Sequence, residues 1–159
     1  MAARSRPDIG FVPTPADAAA AMLKLAELSA ADVVYDLGCG DGRLLIQAAL
    51  DYGVQGVGID VDPALLEQAR ADARKAGVDH RLTFTQGNLF EADLHNATVV
   101  LIYLLPHLNL RLRSRLQTQL RSGSRIVSHM FDMGDWPPQL ILRLEPSEED
   151  SVLYLWQIS

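Results

Sequence analysis

The stretch that decides the fold is Tyr35-Asp36-Leu37-Gly38-Cys39-Gly40-Asp41-Gly42-Arg43. It follows a short apolar run, Val33 to Tyr35, and it opens a segment with helical periodicity, Arg43 to Tyr52. Glycines are required where the backbone turns tightly and where a ligand approaches the main chain closely. The stretch therefore predicts a strand, a glycine-rich binding turn and a helix in direct succession.

An acidic residue, Asp60, ends the next predicted strand, Val54 to Ile59. A carboxylate at this position can accept hydrogen bonds from both hydroxyls of a ribose. Dinucleotide-binding proteins share the layout, but their fingerprint is Gly-x-Gly-x-x-Gly. Here Arg43 occupies the third glycine position, and the third glycine, Gly42, comes one residue early.

Carboxylates surround the predicted turn. Asp36 precedes it, Asp41 lies inside it and Asp60 faces it, so a pyrophosphate would be repelled, whereas an ammonium and a sulfonium would be attracted. The pattern favours S-adenosylmethionine over NAD, and an NAD-dependent enzyme is the alternative. The loop and strand-end positions predicted to bind the cofactor are Asp36, Gly38, Gly40, Asp41, Gly42, Asp60 and Val61.

Strand-like and helix-like segments alternate along the rest of the chain. Further strands are predicted over Leu82–Thr85, Ala97–Tyr103, Ser124–Met130, Leu140–Leu144 and Val152–Ile158. One helix is predicted from Pro15 to about Leu28 with Thr14 as its N-cap, and another from Pro63 to Gly77 with Asp62 as its N-cap. A third is predicted along the stripe Leu108, Leu112, Leu116, Leu120. This alternation predicts an α/β, Rossmann-like domain with helices on both faces of a mostly parallel sheet. Residues 131–139 are too few for a helical crossover, so we expect a loop or a single helical turn there. The domain is predicted to span residues 11–159, after a flexible segment 1–10.

Asp36 to Gly42, taken with Asp60, resembles motifs I and II of class I methyltransferases. The resemblance covers nearly the whole chain, which is similar to the small archaeal protein-lysine methyltransferases and to the mitochondrial enzymes that methylate a lysine of the ATP synthase c-subunit. The stretches that carry this similarity are Phe11-Val12-Pro13-Thr14-Pro15, Tyr35 to Arg43, Ala97-Thr98-Val99-Val100, Tyr103-Leu104-Leu105 and Ser128-His129.

This resemblance implies a seven-stranded sheet whose last strand is antiparallel. It implies S-adenosylmethionine as methyl donor, S-adenosylhomocysteine as product, and a protein with an accessible lysine as acceptor. Asn88 and Leu89 would contact the adenine, although Asn88 is also a typical turn residue. Phe11 and Thr14 would cover the methionine end of the cofactor, although Phe11 can equally pack as a hydrophobic staple on the first helix.

The acceptor is expected beside the end of the fourth strand. Tyr103 could line a lysine channel, with its ring against an aliphatic stem or a cation, or it could be a core aromatic residue. Asn109 could orient an amine or cap the following helix. The segment from Tyr103 to Asn109 lacks a motif of the Asn-Pro-Pro-Tyr type, which argues against a DNA adenine or glutamine methylase. His129, at the end of the fifth strand, is interpreted as a structural histidine.

Composition narrows the possible partners, covalent cross-links and metal sites of the chain. The formal net charge of −6 argues against a nucleic-acid partner. Cys39 is the single cysteine, which excludes an intrachain disulfide and suggests a small loop residue. The longest apolar stretch, Ala97 to Leu105, is too short to span a bilayer. No spacing of His, Cys and carboxylates suggests a metal site. The arginines at positions 111, 113, 115, 121 and 125 are interpreted as a mostly solvated face, with a docking surface as the alternative.

We therefore expect a cytoplasmic methyltransferase, monomeric rather than oligomeric, that transfers its methyl group by direct displacement. Two alternatives share every cofactor residue. The chain could be a small-molecule N- or O-methyltransferase, which a closed lid would favour. It could also be a non-catalytic module that binds S-adenosylmethionine without turnover.

Overall fold

The computed structural model describes residues 13–145 and 150–159. The predicted flexible segment 1–10 and Phe11 lie outside the described residues. The helices are α1 (Ala16–Leu25), α2 (Arg43–Tyr52), α3 (Pro63–Ala76) and α4 (Pro106–Gln119), and the strands are β1 (Val33–Leu37), β2 (Gln55–Asp60), β3 (Leu82–Gln86), β4 (Val99–Ile102), β5 (Arg125–His129), β6 (Leu140–Arg143) and β7 (Val152–Gln157).

The strands form one sheet in the order β3-β2-β1-β4-β5-β7-β6. Neighbouring strands from β3 to β5 are parallel, whereas β7 pairs antiparallel with both β5 and β6. The predicted seven-stranded, mostly parallel sheet with an antiparallel last strand is confirmed. The strand order reverses between β1 and β4, and in open α/β sheets ligands bind at the carboxyl ends of the strands beside such a reversal.

Two apolar clusters cover the two faces of the sheet. Helices α1, α2 and α3 pack on one face through residues such as Met22, Leu45 and Leu66. Helix α4 packs on the other face through its leucine stripe, in which Leu108, Leu112 and Leu116 are buried. Fully burying a leucine side chain stabilises a fold by about 1.5–3 kcal/mol, so this stripe fixes α4 on that face of the sheet.

Local sequence signals set most helix ends. The Asp62 side chain accepts hydrogen bonds from the backbone N–H groups of Ala64 and Leu65, and Gly77 ends α3 in the left-handed conformation, both as predicted. The predicted start and end of α1 are wrong. Pro15 rather than Thr14 is its N-cap, and the helix ends at Leu25 rather than Leu28.

The face that carries α4 has no second α-helix among the described residues. The β3–β4 connection contains one 3₁₀ turn, Leu89–Glu91. The β5–β6 connection is a loop with a single bridge between Met133 and Trp136, as expected for a crossover of this length.

Arginines of α4 hold these two connections in place. Arg115 donates to the backbone carbonyl of Ala92, and Arg113 donates to that of Met133 at 2.9 Å. Arg111 lies 4.0 Å from the centre of the Phe90 ring. The prediction of a mostly solvated arginine face is therefore wrong for Arg113 and Arg115, which are half-buried and bind the two loops, whereas Arg111 is exposed as predicted.

Candidate functional site

The glycine turn after β1 has an unusual backbone. Gly38, Gly40 and Gly42 have φ values of +86°, +57° and +78°, a region that side-chain-bearing residues rarely adopt. The N–H groups of Gly38 and Cys39 both donate to the carbonyl of Ile59, at 2.8 and 3.0 Å. The turn is thereby fastened to the end of β2, with Gly38 exposed at the edge of the sheet.

Asp60 joins the ends of β1 and β2. Its Oδ2 accepts a hydrogen bond from the Gly40 N–H at 2.8 Å, and its Oδ1 accepts one from the Asp62 N–H at 3.0 Å. Each carboxylate oxygen has a second lone pair, so the predicted acceptance of two ribose hydroxyls is compatible with these contacts.

Asp36 is a buried carboxyl at the end of β1, with 6% of its surface exposed. Nothing in the described part of the chain donates a hydrogen bond to it. Burial, followed by the charges of Asp60 and Asp41, raises the pKa of Asp36 to about 7. A buried carboxyl without donors beside a second carboxylate is suited to a cation, so these residues fit the ammonium and sulfonium of S-adenosylmethionine.

Asp41, the third carboxylate, has a partner of its own. Its oxygens accept hydrogen bonds from Arg43, from Nε at 3.0 Å and from Nη2 at 2.6 Å. The predicted repulsion of a phosphate by the turn therefore rests on Asp36 and Asp60 more than on Asp41.

Cys39 fills space beneath the turn. A Cβ added to Gly58 would lie 2.7 Å from the Cys39 Sγ, so the thiol packs against a position that must stay without a side chain. Burial raises the pKa of this thiol, which excludes a thiolate nucleophile at neutral pH. The interpretation of Cys39 as a small loop residue agrees with this packing.

The predicted adenine contacts lie beside the glycine turn. A Cβ on Gly38 would be 3.9 Å from the Leu89 side chain and 3.5 Å from that of Leu104. The Asn88 Oδ1 accepts a hydrogen bond from the Phe90 N–H at 2.9 Å, which is the contact of a turn residue. Its contact with adenine stays a prediction, as do those of Val61, which is exposed, and of Thr14, which is half-buried just before α1.

Tyr103 follows β4 directly and is half-buried. The ring of His129 meets it edge-on, with centroids 4.3 Å apart, and the ring of Phe131 lies nearly parallel to it at 6.5 Å. Because Ile102 pairs with Leu37, Tyr103 leaves β4 at the level of Gly38, the first glycine of the turn. The sequence motifs do not point to Phe131, although it lies just beyond a strand end, where ligand-contacting residues are expected.

His129 is fully buried behind Tyr103. Its Nε2 lies 2.9 Å from the Ser151 Oγ, and burial lowers its pKa to about 4. The ring is therefore neutral at physiological pH, in agreement with a structural histidine.

Asn109 lies in the first turns of α4 and has no exposed surface. Its Nδ2 donates to the carbonyls of Phe131 and Asp132, at 3.3 and 3.1 Å. Its Oδ1 is buried and has no partner among the described residues. The amide thus holds the segment after β5 and does not cap α4, whose N-cap is Leu105. The predicted orientation of an amine by Asn109 stays a prediction.

Comparison with known proteins identifies this arrangement. The sequence model of the ANTKMT methyltransferase domain matches residues 36–140, which contain the glycine turn, Asp60 and the end of β4. The chain belongs to the ANTKMT methyltransferase domain family. This membership confirms the resemblance proposed from the motifs and the predicted class, an S-adenosylmethionine-dependent methyltransferase.

Relatives in this family have several names. A protein-lysine N-methyltransferase of Saccharolobus islandicus is 39% identical, over 96% of this chain and 95% of that protein. The ATP synthase c-subunit lysine N-methyltransferase of Xenopus laevis is 31% identical over 82% of this chain, which spans only 57% of that enzyme. A crystal structure of an RNA methyltransferase from Salinibacter ruber, in complex with S-adenosyl-L-homocysteine, is 49% identical with a TM-score of 0.88, over 92% of this chain and 94% of that one.

Metal-binding clusters and membrane spans are both absent from residues 13–145 and 150–159. No group of three or more His, Cys, Asp or Glu side chains in these ranges could hold a metal ion. No helix in the same ranges is long and apolar enough to cross a membrane.

Proposed function

We propose that this ANTKMT-family domain methylates lysine side chains of proteins, with S-adenosylmethionine as the donor. The observation that carries the proposal is the position of Tyr103, a half-buried residue that follows Ile102, the β4 partner of Leu37, and so leaves the sheet at the level of Gly38. Aromatic faces bind aliphatic stems and cations, and both are present in a lysine side chain. Relatives from an archaeon and from a frog, both named as lysine methyltransferases, support the same acceptor.

The cofactor supplies an already activated methyl group, so the protein mainly aligns the acceptor and excludes water. Asp60 would hold the donor at the ends of β1 and β2, where the exposed Gly38 lets a ligand approach the backbone, and Asp36 would balance the positive charge of the donor. Tyr103 would then direct the amine nitrogen toward the donor from beside β4. The acceptor nitrogen must be uncharged, because a protonated amine has no lone pair.

Loss of the amine proton is the main energetic demand on the acceptor. A lysine with a pKa near 10.4 is neutral in about one of 2,500 molecules at pH 7, a deficit of roughly 4–5 kcal/mol. His129 cannot serve as an efficient base, because burial lowers its pKa to about 4 and its Nε2 already contacts Ser151. We infer that the lysine loses its proton before docking, and that the apolar walls of the site keep the docked amine neutral.

An RNA acceptor is the second candidate, since the 49% identical Salinibacter protein is named an RNA methyltransferase. Phosphate backbones are bound by clusters of basic side chains, whereas this chain carries a formal net charge of −6. The side chains of Arg113 and Arg125 form ion pairs with Asp135 and Asp32, which further reduces the free basic surface. These observations favour a protein over an RNA, so we propose an enzyme without a nucleic-acid partner that acts as a cytoplasmic monomer.

The acceptor can be identified by labelling. The protein is incubated with tritiated S-adenosylmethionine and a dialysed lysate of its host, and the label is located after separate nuclease and protease digestion. We expect nuclease-resistant label that is recovered as methyllysine after acid hydrolysis. Acetylation of all lysines in the lysate should abolish it, because an amide nitrogen is not nucleophilic. Label that persists on the blocked lysate, or that nuclease removes, would exclude lysine.

A further inference from the structure

The segment that follows β5 adopts a backbone conformation that its sequence does not favour. Met130 has a φ of +77°, which a bulky side chain rarely adopts. Its N–H donates to the carbonyl of Val152 at 2.7 Å, so the residue is held in this conformation by the neighbouring strand. The result is a sharp turn immediately after His129 that brings the next residue, Phe131, back to the end of β4.

Two buried polar side chains secure that turn. The Ser128 Oγ donates to the carbonyl of Phe131 at 2.6 Å, and the Asn109 Nδ2 donates to the same carbonyl and to that of Asp132. In doing so Asn109 leaves its Oδ1 buried without a partner in the described part of the chain, which is unfavourable. The strained backbone of Met130 and the unpaired amide oxygen of Asn109 both serve the same turn. Together they indicate a function for this turn, because neither contributes to core packing.

This arrangement determines where the ring of Phe131 lies. Phe131 lies nearly parallel to Tyr103, with an interplanar angle of 24° and centroids 6.5 Å apart. Behind them, the buried His129 meets Tyr103 edge-on and fixes the ring from its inner side. Tyr103 and Phe131 therefore form a continuous aromatic wall, which we call the Tyr103–Phe131 wall, at the ends of β4 and β5.

We propose that Phe131 contacts the acceptor as the second half of the Tyr103–Phe131 wall, and that Asn109 is the residue that positions it. The wall would bind the aliphatic stem of the acceptor and the cationic methylammonium that the reaction produces. This inference rests on the proposed function for its acceptor, a lysine side chain. It assigns Asn109 to positioning, since its amide contacts the backbone of Phe131 rather than the open site.

Phe131→Leu tests the inference, and Tyr52→Leu, which also replaces a half-buried aromatic residue by leucine, is the control. Tyr52 is also half-buried, but it ends α2 at the opposite edge of the sheet. Methylation rates are measured with tritiated S-adenosylmethionine over a range of lysate protein concentrations, and the affinity for S-adenosylhomocysteine is measured by calorimetry. Phe131→Leu should lower kcat/KM for the acceptor at least tenfold and leave the calorimetric Kd within threefold, whereas Tyr52→Leu should change neither.

Asn109→Ala tests the positioning role. It should reproduce the loss in kcat/KM with an unchanged calorimetric Kd, and the double variant with Phe131→Leu should be no slower than the slower single variant. If Asn109→Ala does not fold, Ser128→Ala removes the other support of the same carbonyl and should act in the same direction. Additive losses would show that Asn109 does not act through Phe131 and would overturn its assignment.

Two results would overturn the role of Phe131. One is an unchanged rate in Phe131→Leu, and the other is a tenfold weaker affinity for S-adenosylhomocysteine, which would place the ring on the cofactor. Label found on RNA or a small molecule would instead refute lysine as the acceptor. The contact of Phe131 with the acceptor would still be decided by the rate of the variant, so the two failures are distinguishable.

Discussion

The carboxylate of Asp60 accepts a hydrogen bond from the Gly40 N–H at 2.8 Å, and this contact ties the end of β2 to the glycine turn that follows β1. The same carboxylate also accepts from the Asp62 N–H at the start of α3. One side chain thus shapes the turn and, in the proposed function, binds the ribose of the cofactor. Its loss should therefore affect both binding and stability.

Asp60→Ala should weaken the binding of S-adenosylmethionine by about 1.5–3 kcal/mol, because hydrogen bonds to a charged group are lost. It should also lower the melting temperature of the ligand-free protein, since two backbone N–H groups lose their acceptor. Calorimetry and thermal unfolding measure the two effects. Asp51→Ala, in an exposed carboxylate of α2, is the matched control and should change neither. Unchanged affinity in Asp60→Ala, or a preference for NAD, would contradict the prediction.

Alanine substitutions at Gly42 and Gly77 distinguish the cost of backbone strain from the cost of overpacking. Both have positive φ, +78° and +76°, but a Cβ on Gly42 would lie 2.8 Å from the Ala69 Cβ and from the Phe84 ring, whereas a Cβ on Gly77 would meet nothing within 4 Å. Each alanine substitution should cost about 1–2 kcal/mol in strain. Gly42→Ala should cost roughly 1–3 kcal/mol more, because it overpacks the contact between α3 and the sheet. Urea unfolding of the two variants measures the difference, and equal losses would contradict the packing argument.

Much of this architecture could be predicted because its signals are local. The turn from Asp36 to Gly42 and the caps Asp62 and Gly77 are encoded within a few residues, and Asp60 is found because strand ends in a parallel sheet share one edge. Burial of the leucine stripe on α4 follows from helical periodicity alone.

The features that could not be predicted depend on non-glycine residues with positive φ or on distant packing. Glu27 has a φ of +54° close after the end of α1, and no glycine marks that end in the sequence. Met130 is a second such residue, and the position of Phe131 depends on it. The burial of Asp36 without a donor among residues 13–145 and 150–159 is likewise a tertiary property, since it depends on how other elements pack around the carboxyl.

Tyr103→Ala should lower turnover and leave donor affinity within about tenfold, because only the alignment of the acceptor is lost. Single-turnover rates with saturating donor and calorimetry with S-adenosylhomocysteine measure the two quantities separately. If the variant melts early and the surviving folded enzyme turns over normally, Tyr103 is a core residue, and the acceptor channel must lie elsewhere.

The rate of methylation at saturating donor should rise with pH between 7 and 9. A lysine acceptor gains neutral amine tenfold per pH unit in this range, and the neutral His129 contributes no titration there. Initial rates on lysate protein at constant ionic strength test this. A rate that is flat from pH 7 to 9 would argue against docking of the free amine as the step that controls turnover.

Asp36 should make cofactor binding and stability depend on pH in opposite ways. Burial raises its pKa from 3.8 to about 7 in the folded protein, so the folded state binds more protons than the unfolded state between these values. The free energy of unfolding should therefore fall as pH rises through this window and level off above pH 7. A cationic donor beside Asp36 favours the charged carboxylate, so affinity for S-adenosylmethionine should rise from pH 6 to pH 8.

Asp36→Asn separates these two effects of one buried charge. At pH 8 it should raise the melting temperature of the ligand-free protein by at least about 3 °C, because the cost of burying a carboxylate is removed. It should also weaken binding of the cationic donor and flatten the dependence of its Kd on pH. Calorimetry at pH 6, 7 and 8 measures the second effect, with Asp51→Asn as the control in an exposed carboxylate. A variant that binds the donor weakly but retains the full pH dependence would show that another group titrates, and Asp36 would then have no part in balancing the charge of the donor.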